Sequence, residues 1–178
     1  EKIKELFEFF NNDSIVIISS QIPVGTTKKI IDLYEKSYDK KLNICYLPEN
    51  LRLGNALNVF LNPDRIVVGC DKKEVRKKLE DLLLRITDNL IWTSIASAEM
   101  AKHTINAFLA TSVAFANEIS TLCEHVDADA KQVEKAIKSD KRIGKLAYLS
   151  PGGPFAGGTL ARDINYLADL SKNKQIDL

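Results

Sequence analysis

The stretch SIVIISS at Ser14–Ser20 is a short, β-branched, apolar run, the pattern of a strand buried in a parallel sheet. Pro23-Val24-Gly25 punctuates its end, and Thr26–Ser37 reads as a helix. LNICYL at Leu42–Leu47 is a second strand ending at Pro48, and RIVVGC at Arg65–Cys70 is a third. Asp71–Ile86 then reads as a helix, with Asp71 as a candidate N-cap and several i,i+4 charge pairs. Leu90–Thr93 is a candidate for one more strand. Strands separated by helices predict a parallel α/β sheet.

Working outward towards the N-terminus, Ile3, Leu6, Phe7 and Phe10 recur at helical spacing. Glu1 lies inside that pattern without a cap, so the chain is expected to be a fragment or an ordered remainder of something longer. Towards the C-terminus the character changes after Ser94. Ser97–Val126 contains neither Gly nor Pro and is apolar almost all round. A helix of this composition must be buried on more than one side, and burial within a homodimer is one solution. Asp129–Ser139 reads as a shorter helix capped by Asp127 or Asp129. Ser150–Gly158 (SPGGPFAGG) is a loop rich in Gly and Pro, and residues from about Leu160 to Ser171 form another helix.

Composition narrows the function classes. With a net charge of +1 over 178 residues, no basic field points to nucleic acid or to an anionic membrane. No apolar run approaches the roughly 20 residues that span a bilayer. Cys45, Cys70 and Cys123 are odd in number, scattered and not in CxxC pairs, which fits a reducing cytoplasm. His125 lies two residues from Cys123, but a helix cannot aim i and i+2 at one metal. No metal site is therefore read, and His103 and His125 are expected to be structural.

Lys102 and Asn106 sit at i and i+4, so both side chains leave one face of the long helix. On spacing alone, an exposed Lys and a helix-surface Asn are the ordinary reading. A cation and an amide donor on one face could together stabilise negative charge developing on an oxygen between them.

Four stretches together resemble the UDP-glucose/GDP-mannose dehydrogenase family. They are SSQIPVGTT at Ser19–Thr27, LPENLRLGNALNVFLNPDRIVVG at Leu47–Gly69, SAEMAKHTINAFLATSVAFANEISTLCE at Ser97–Glu124, and KSDKRIGKLAYLSPGGPFAGGTLARD at Lys138–Asp163. They occur in the family's order and cover most of the chain. The resemblance implies the C-terminal part of a Rossmann-like NAD-binding domain at 1–93, followed by an all-α central dimerisation domain with one long helix at 94–178. It also implies a nucleotide-sugar substrate, NAD as cofactor, and a homodimer through the long helix. No GxGxxG turn for the NAD pyrophosphate is present in the chain, so the cofactor site is expected to be incomplete.

The same resemblance assigns roles. Lys102 and Asn106 would stabilise the alkoxide, Asp163 would support the Lys and order a water, and Glu49 would assist hydrolysis of a covalent intermediate. Arg142 would reach the substrate in the partner subunit's site, and Asn50, Leu51, Gly152 and Gly157 would line the substrate. Ser20, Gln21, Pro23 and Arg162 would contact the cofactor. Other readings remain for several of these. Asp163 also suits the start of a helix for dipole reasons, and Arg142 suits a helix end.

Three departures bear on the chemistry. Family members that oxidise a sugar alcohol to a carboxylate use a Cys whose thiolate forms a thiohemiacetal. Aligned through Asp163, that position is Thr159, whose hydroxyl is far less acidic than a thiol. Gln21 stands where the family usually has Thr, and Leu53 where many members have Glu. The set for a first, two-electron oxidation is therefore better preserved than the set for a second. The leading expectation is an NAD-dependent dehydrogenase of a nucleotide sugar serving polysaccharide precursor synthesis. A two-electron dehydrogenase of the hydroxyacid type and a non-catalytic dimerising homologue are the alternatives.

Overall fold

The computed structural model describes residues 2–11, 13–51, 54–155 and 158–177. They form two compact units, Glu1–Lys102 and His103–Leu178. The first unit opens with a 3₁₀ helix, Lys2–Phe9, where the sequence pattern suggests an ordinary helix. It continues through β1 (Val16–Ile18), α1 (Thr26–Tyr38), β2 (Ile44–Tyr46), α2 (Ala56–Leu61), β3 (Ile66–Gly69), α3 (Lys73–Leu83) and β4 (Leu90–Thr93). The helix α4 (Ile95–His125) starts in this unit and runs on through the second, which adds α5 (Ala130–Ser139) and α6 (Gly158–Asn173).

The strand order is β1-β2-β3-β4. β1 and β2 pair in parallel, as do β3 and β4, each pair joined by one helix as a βαβ unit. The expectation of a uniformly parallel sheet needs one correction: β2 and β3 are antiparallel, bridged at Tyr46↔Gly69. A parallel return requires a crossover that carries the chain back along the sheet, usually on a helix. The connection here holds only the six-residue α2, a helix that the sequence reading did not anticipate.

Side chains alternate across β2 and β3 with period two. Ile44, Tyr46 and Val67 point into a core with Phe7, Ile18, Tyr34, Leu42, Ile95 and Ala98. Cys45, Val68 and Cys70 point the other way, onto Val75, Leu79 and Leu83 of α3. Both faces of the strands are covered, which is why they read as continuous apolar runs. Gly69 fits because a Cβ there would lie 2.7 Å from the Ala98 Cβ and 2.9 Å from the Ile95 Cα. The first turn of α4 presses directly onto the end of β3.

Asp71 does not cap α3. The N-cap of that helix is Lys72, with no side-chain hydrogen bond. The Asp71 carboxylate instead accepts the backbone N–H of Ile95 at 3.2 Å. It serves the start of α4, where unpaired N–H groups also favour a carboxylate. In the second unit, Asp129 rather than Asp127 caps α5, accepting from the N–H groups of Lys131 and Gln132 at 2.8 and 3.0 Å.

Candidate active site

Because β1 and β2 are parallel, their C-terminal ends lie side by side. Leu47 N–H donates to the Ile18 carbonyl at 2.8 Å and Glu49 N–H to the Ser19 carbonyl at 3.2 Å. The segments that follow, Ser20–Gly25 and Pro48–Leu51, are therefore neighbours at the edge where open α/β sheets bind ligands. Of the residues assigned to the cofactor there, Ser20 and Pro23 are exposed and Gln21 is half-buried.

Glu99 organises this edge. Gly25, at φ 86°, begins α1 and has no side chain to cap it. The Glu99 carboxylate reaches over from α4 and accepts the N–H of Gly25 at 2.6 Å and of Thr27 at 2.9 Å. Glu99 is fully buried. Anions favour helix N-termini, and here the chain supplies its own.

One turn further along α4, the Lys102 ammonium donates to the backbone carbonyl of Glu49 at 2.7 Å and to the Asn50 carboxamide oxygen at 3.4 Å. Both acceptors are neutral, so they orient the ammonium without cancelling its charge. The Glu49 carboxylate turns back and accepts the N–H of Leu51 at 2.8 Å, and Leu51 itself is exposed. Lys102, Glu49 and Asn50 are thus brought together through a carbonyl and an amide, not through the Glu49 carboxylate.

In the second unit, α6 carries Asp163 into the interior, where it is fully buried. One carboxylate oxygen meets His103 Nδ1 at 2.8 Å, and the other accepts from the Asn106 carboxamide. A carboxylate only accepts, so this contact places a hydrogen on Nδ1. The His103 ring also lies against Tyr166, with ring centroids 4.1 Å apart. Burial of a carboxylate is tolerated when hydrogen bonds satisfy it, and His103 and Asn106, at i and i+3 on α4, supply two. Asn106 is therefore anchored by Asp163, while Lys102, at i−4 from Asn106 on the same helix, is anchored by Glu49 and Asn50.

Thr159 is exposed in the first turn of α6, at i−4 from Asp163, and Arg162 is exposed on the same helix. Arg142 is exposed just beyond α5. Its guanidinium is held by Asp140, with contacts of 2.6 and 3.1 Å, where the helix-end alternative would have had it meet carbonyls. That carboxylate holds the Arg142 pKa above its ordinary value. Gly152 donates its N–H to the Asn117 side-chain oxygen at 2.9 Å, and the Asn117 amide donates to the Gly153 carbonyl at 3.3 Å. Gly157 and Leu53 lie outside the described residues.

Sequence reasoning missed Glu99, Asn117 and the role of His103. Each is a polar residue in a helix that is otherwise apolar, with neither Gly nor Pro. That placement is the available signal, because buried polar groups need partners. The partners themselves are 60 or more residues away for His103 and Glu99. Among the described residues, no group of three metal-ligating side chains occurs, and no helix is long and apolar enough to cross a membrane.

Comparison with known proteins gives a consistent picture. A model of the NAD binding domain of the UDP-glucose/GDP-mannose dehydrogenase family matches residues 1–87. A model of the same family's central domain matches residues 96–178. A UDP-glucose 6-dehydrogenase of Rickettsia bellii is 40% identical over a 180-residue alignment that covers 99% of this chain and 41% of the relative. A UDP-glucose 6-dehydrogenase of Bacillus subtilis is 35% identical, covering 98% of this chain and 40% of the relative. The chain thus spans about two fifths of the length of these curated relatives. A UDP-glucose dehydrogenase structure from Pyrobaculum islandicum superposes with a TM-score of 0.83 at 30% identity, over 91% of this chain and 38% of that one. A 3-hydroxyisobutyrate dehydrogenase structure from Mycobacterium tuberculosis has a TM-score of 0.74 at 16% identity, over 98% of this chain and 63% of that one, which is a likeness of fold.

Proposed function

The chain belongs to the UDP-glucose/GDP-mannose dehydrogenase family, and from that premise we propose that it forms part of an NAD-dependent enzyme oxidising the C6 alcohol of a UDP- or GDP-sugar. Residues 1–93 belong to the NAD-binding part and 94–178 to the central, dimerising part. The product serves polysaccharide precursor synthesis in the cytoplasm. The observation that carries this reading is the pair Lys102 and Asn106, one turn apart on α4, Lys102 held by the Glu49 carbonyl and the half-buried Asn50, Asn106 by the buried Asp163.

The residues present fit part of the cofactor. Ser20, Gln21 and Pro23 lie at the C-terminal end of β1, where a ligand would be reached, while the N-terminus of α1 is already filled by Glu99. Bound NAD supplies the hydride acceptor, and Arg162 is a further contact to it. Lys102 supports the alkoxide that forms as the alcohol loses its proton, and Asn106 donates a hydrogen bond to the same oxygen. Asp163 fixes the Asn106 carboxamide. Asn50, Leu51, Gly152 and Gly157 line the substrate, and Arg142 reaches the substrate of the partner subunit. Glu49 stands ready for the hydrolytic step in enzymes that carry one.

Thr159 replaces the family's nucleophilic Cys, so no thiohemiacetal forms at that position and oxidation stops after two electrons. The test is to incubate full-length protein with NAD and UDP-glucose or GDP-mannose, count NADH per sugar and identify the product. One NADH per sugar and an aldehyde is the expected result. Two NADH and a uronic acid would show that another group takes over the nucleophile's work. No turnover of any nucleotide sugar, with turnover of a small hydroxyacid, would favour the hydroxyacid-type reading that Thr159 also permits. No turnover of either would favour a non-catalytic dimerising subunit. The substitution Thr159→Cys is expected to restore acid formation.

The homodimer forms along α4. Phe108, Phe115 and Leu122 recur every seven residues on one stripe of this helix and are 69%, 49% and 60% exposed. An exposed apolar stripe of this kind marks an interaction surface, and a two-fold axis would cover it with its own copy. Phe115→Glu is expected to halve the mass seen by light scattering. A wild-type protein that stays monomeric at high concentration would remove the dimer from this reading.

A further inference from the structure

The two βαβ units of the sheet are joined at one bridged pair, Tyr46↔Gly69, whereas β1 and β2 share three pairs and β3 and β4 share four. In an antiparallel register, the residues flanking that bridge are Cys45 and Cys70. The hydrogen-bond directions define the kind of pair they make. Leu47 N–H points to β1, so Cys45, of the same parity on its strand, also turns its backbone to β1. Cys70 N–H points to β4, donating to Thr93 at 2.9 Å. Neither cysteine spends backbone bonds on the other strand, so Cys45 and Cys70 form a non-hydrogen-bonded antiparallel pair. In such pairs the Cα atoms approach to about 4.5 Å and the side chains come closest, which lies at the short end of the Cα separations that a disulfide spans.

The side chains share a face. Cys45 and Cys70 both pack in the core over α3 and both are fully buried with free thiols. Burial pushes the Cys45 pKa up to about 12, and the neighbouring Cys70 adds to that rise. Burial also raises the Cys70 pKa, while a backbone hydrogen bond with Lys72 and the charge of Arg76 act against the rise. As closed, the pair is therefore slow to react, because the thiolate is the reactive form. Reaction requires the seam between the two βαβ units to open, and that seam is the least bridged part of the sheet.

We infer that Cys45 and Cys70 are a modification site: a dithiol that closes to a cross-strand disulfide when the sheet meets a peroxide. One thiolate attacks an oxygen of hydrogen peroxide, giving a sulfenic acid and one water after proton transfer. The second thiol then attacks the sulfenic sulfur and releases the other water. The two thiols are oxidised by two electrons and the peroxide is reduced by the same two. The bond staples β2 to β3 four residues upstream of Glu49, whose carbonyl holds Lys102. Cys123, in the other unit, takes no part.

The experiment exposes the protein to hydrogen peroxide, quenches it, unfolds it and titrates free thiols, with peptide mapping of the products. The three free thiols are expected to fall to one, with the intact mass lower by two hydrogen atoms. The peptides of Cys45 and Cys70 should be cross-linked, and dithiothreitol should reverse the change. In a Cys123→Ser background the reaction should proceed unchanged. Cys45→Ala and Cys70→Ala should each abolish the cross-link. If one of these fails to fold, the other and the Cys123→Ser protein still decide the matter. Three thiols persisting, a stable sulfinic acid at Cys45 or Cys70, or a cross-link through Cys123 would each overturn the inference.

Discussion

Asp163→Leu is expected to lower the stability of the helical unit by about 3–5 kcal/mol, the scale for removing one partner of a buried charged network. The side chain of Asp163 is 1% exposed and that of its partner His103 is 4% exposed. Leucine fills a similar volume but accepts nothing. It leaves the His103 Nδ1 hydrogen and an Asn106 amide hydrogen buried without an acceptor, each costing about 1–3 kcal/mol. Asp163→Asn is expected to cost less, because its carbonyl can still accept one of the two bonds. Its amide must then face another donor. Urea unfolding followed by a probe in α6 measures both. On the proposed role of Asn106, Asp163→Asn in the full-length protein should reduce kcat by about 10-fold or more with KM little changed, since the carboxylate fixes the Asn106 carboxamide. An unfolding midpoint for Asp163→Leu equal to wild type would show that the buried network is not formed.

Glu99→Ala should have the second-largest effect, about 2–4 kcal/mol, on the sheet-bearing unit. Two backbone N–H groups at the start of α1, those of Gly25 and Thr27, lose their acceptor. Thr27 is fully buried, so water cannot replace the carboxylate at its N–H, and the penalty approaches that of a buried unsatisfied donor bonded to a charge. Gly25 offers no side chain to take over as a cap. Glu99→Gln keeps one acceptor oxygen and should recover about half of the loss. Amide exchange at Gly25 and Thr27 reads the effect locally. Their protection should fall more than that of the strand amides of β3 and β4. Uniform loss across the unit would indicate global unfolding, and unchanged protection would rule out Glu99 as the cap.

The local elements were legible in the sequence for a local reason. The β-branched runs at Ser14–Ser20 and Arg65–Cys70, and the long helix without Gly or Pro, express backbone preferences and burial periodicities that act over a few residues. The positions of Lys102 and Asn106 on one helix followed from the same periodicity, and their roles from the resemblance. What the tertiary structure decided are the pairings between distant segments. The antiparallel seam at Tyr46↔Gly69 depends on how a long connection with one short helix turns the chain, which no local pattern encodes. Asp71 looked like a cap for the helix that follows it, yet it is closer to satisfaction at Ile95, 24 residues on. Glu99 and His103 read as one more acid and one more histidine on a helix. Their work became visible only when folding buried them against Gly25, Thr27 and Asp163. The sequence determined by itself where the strands and the longer helices form, though not the short α2 (Ala56–Leu61), because those energies are short-ranged. The tertiary structure alone decided which buried donor meets which carboxylate, because burial makes an unpaired polar group costly and its partner is chosen by contact.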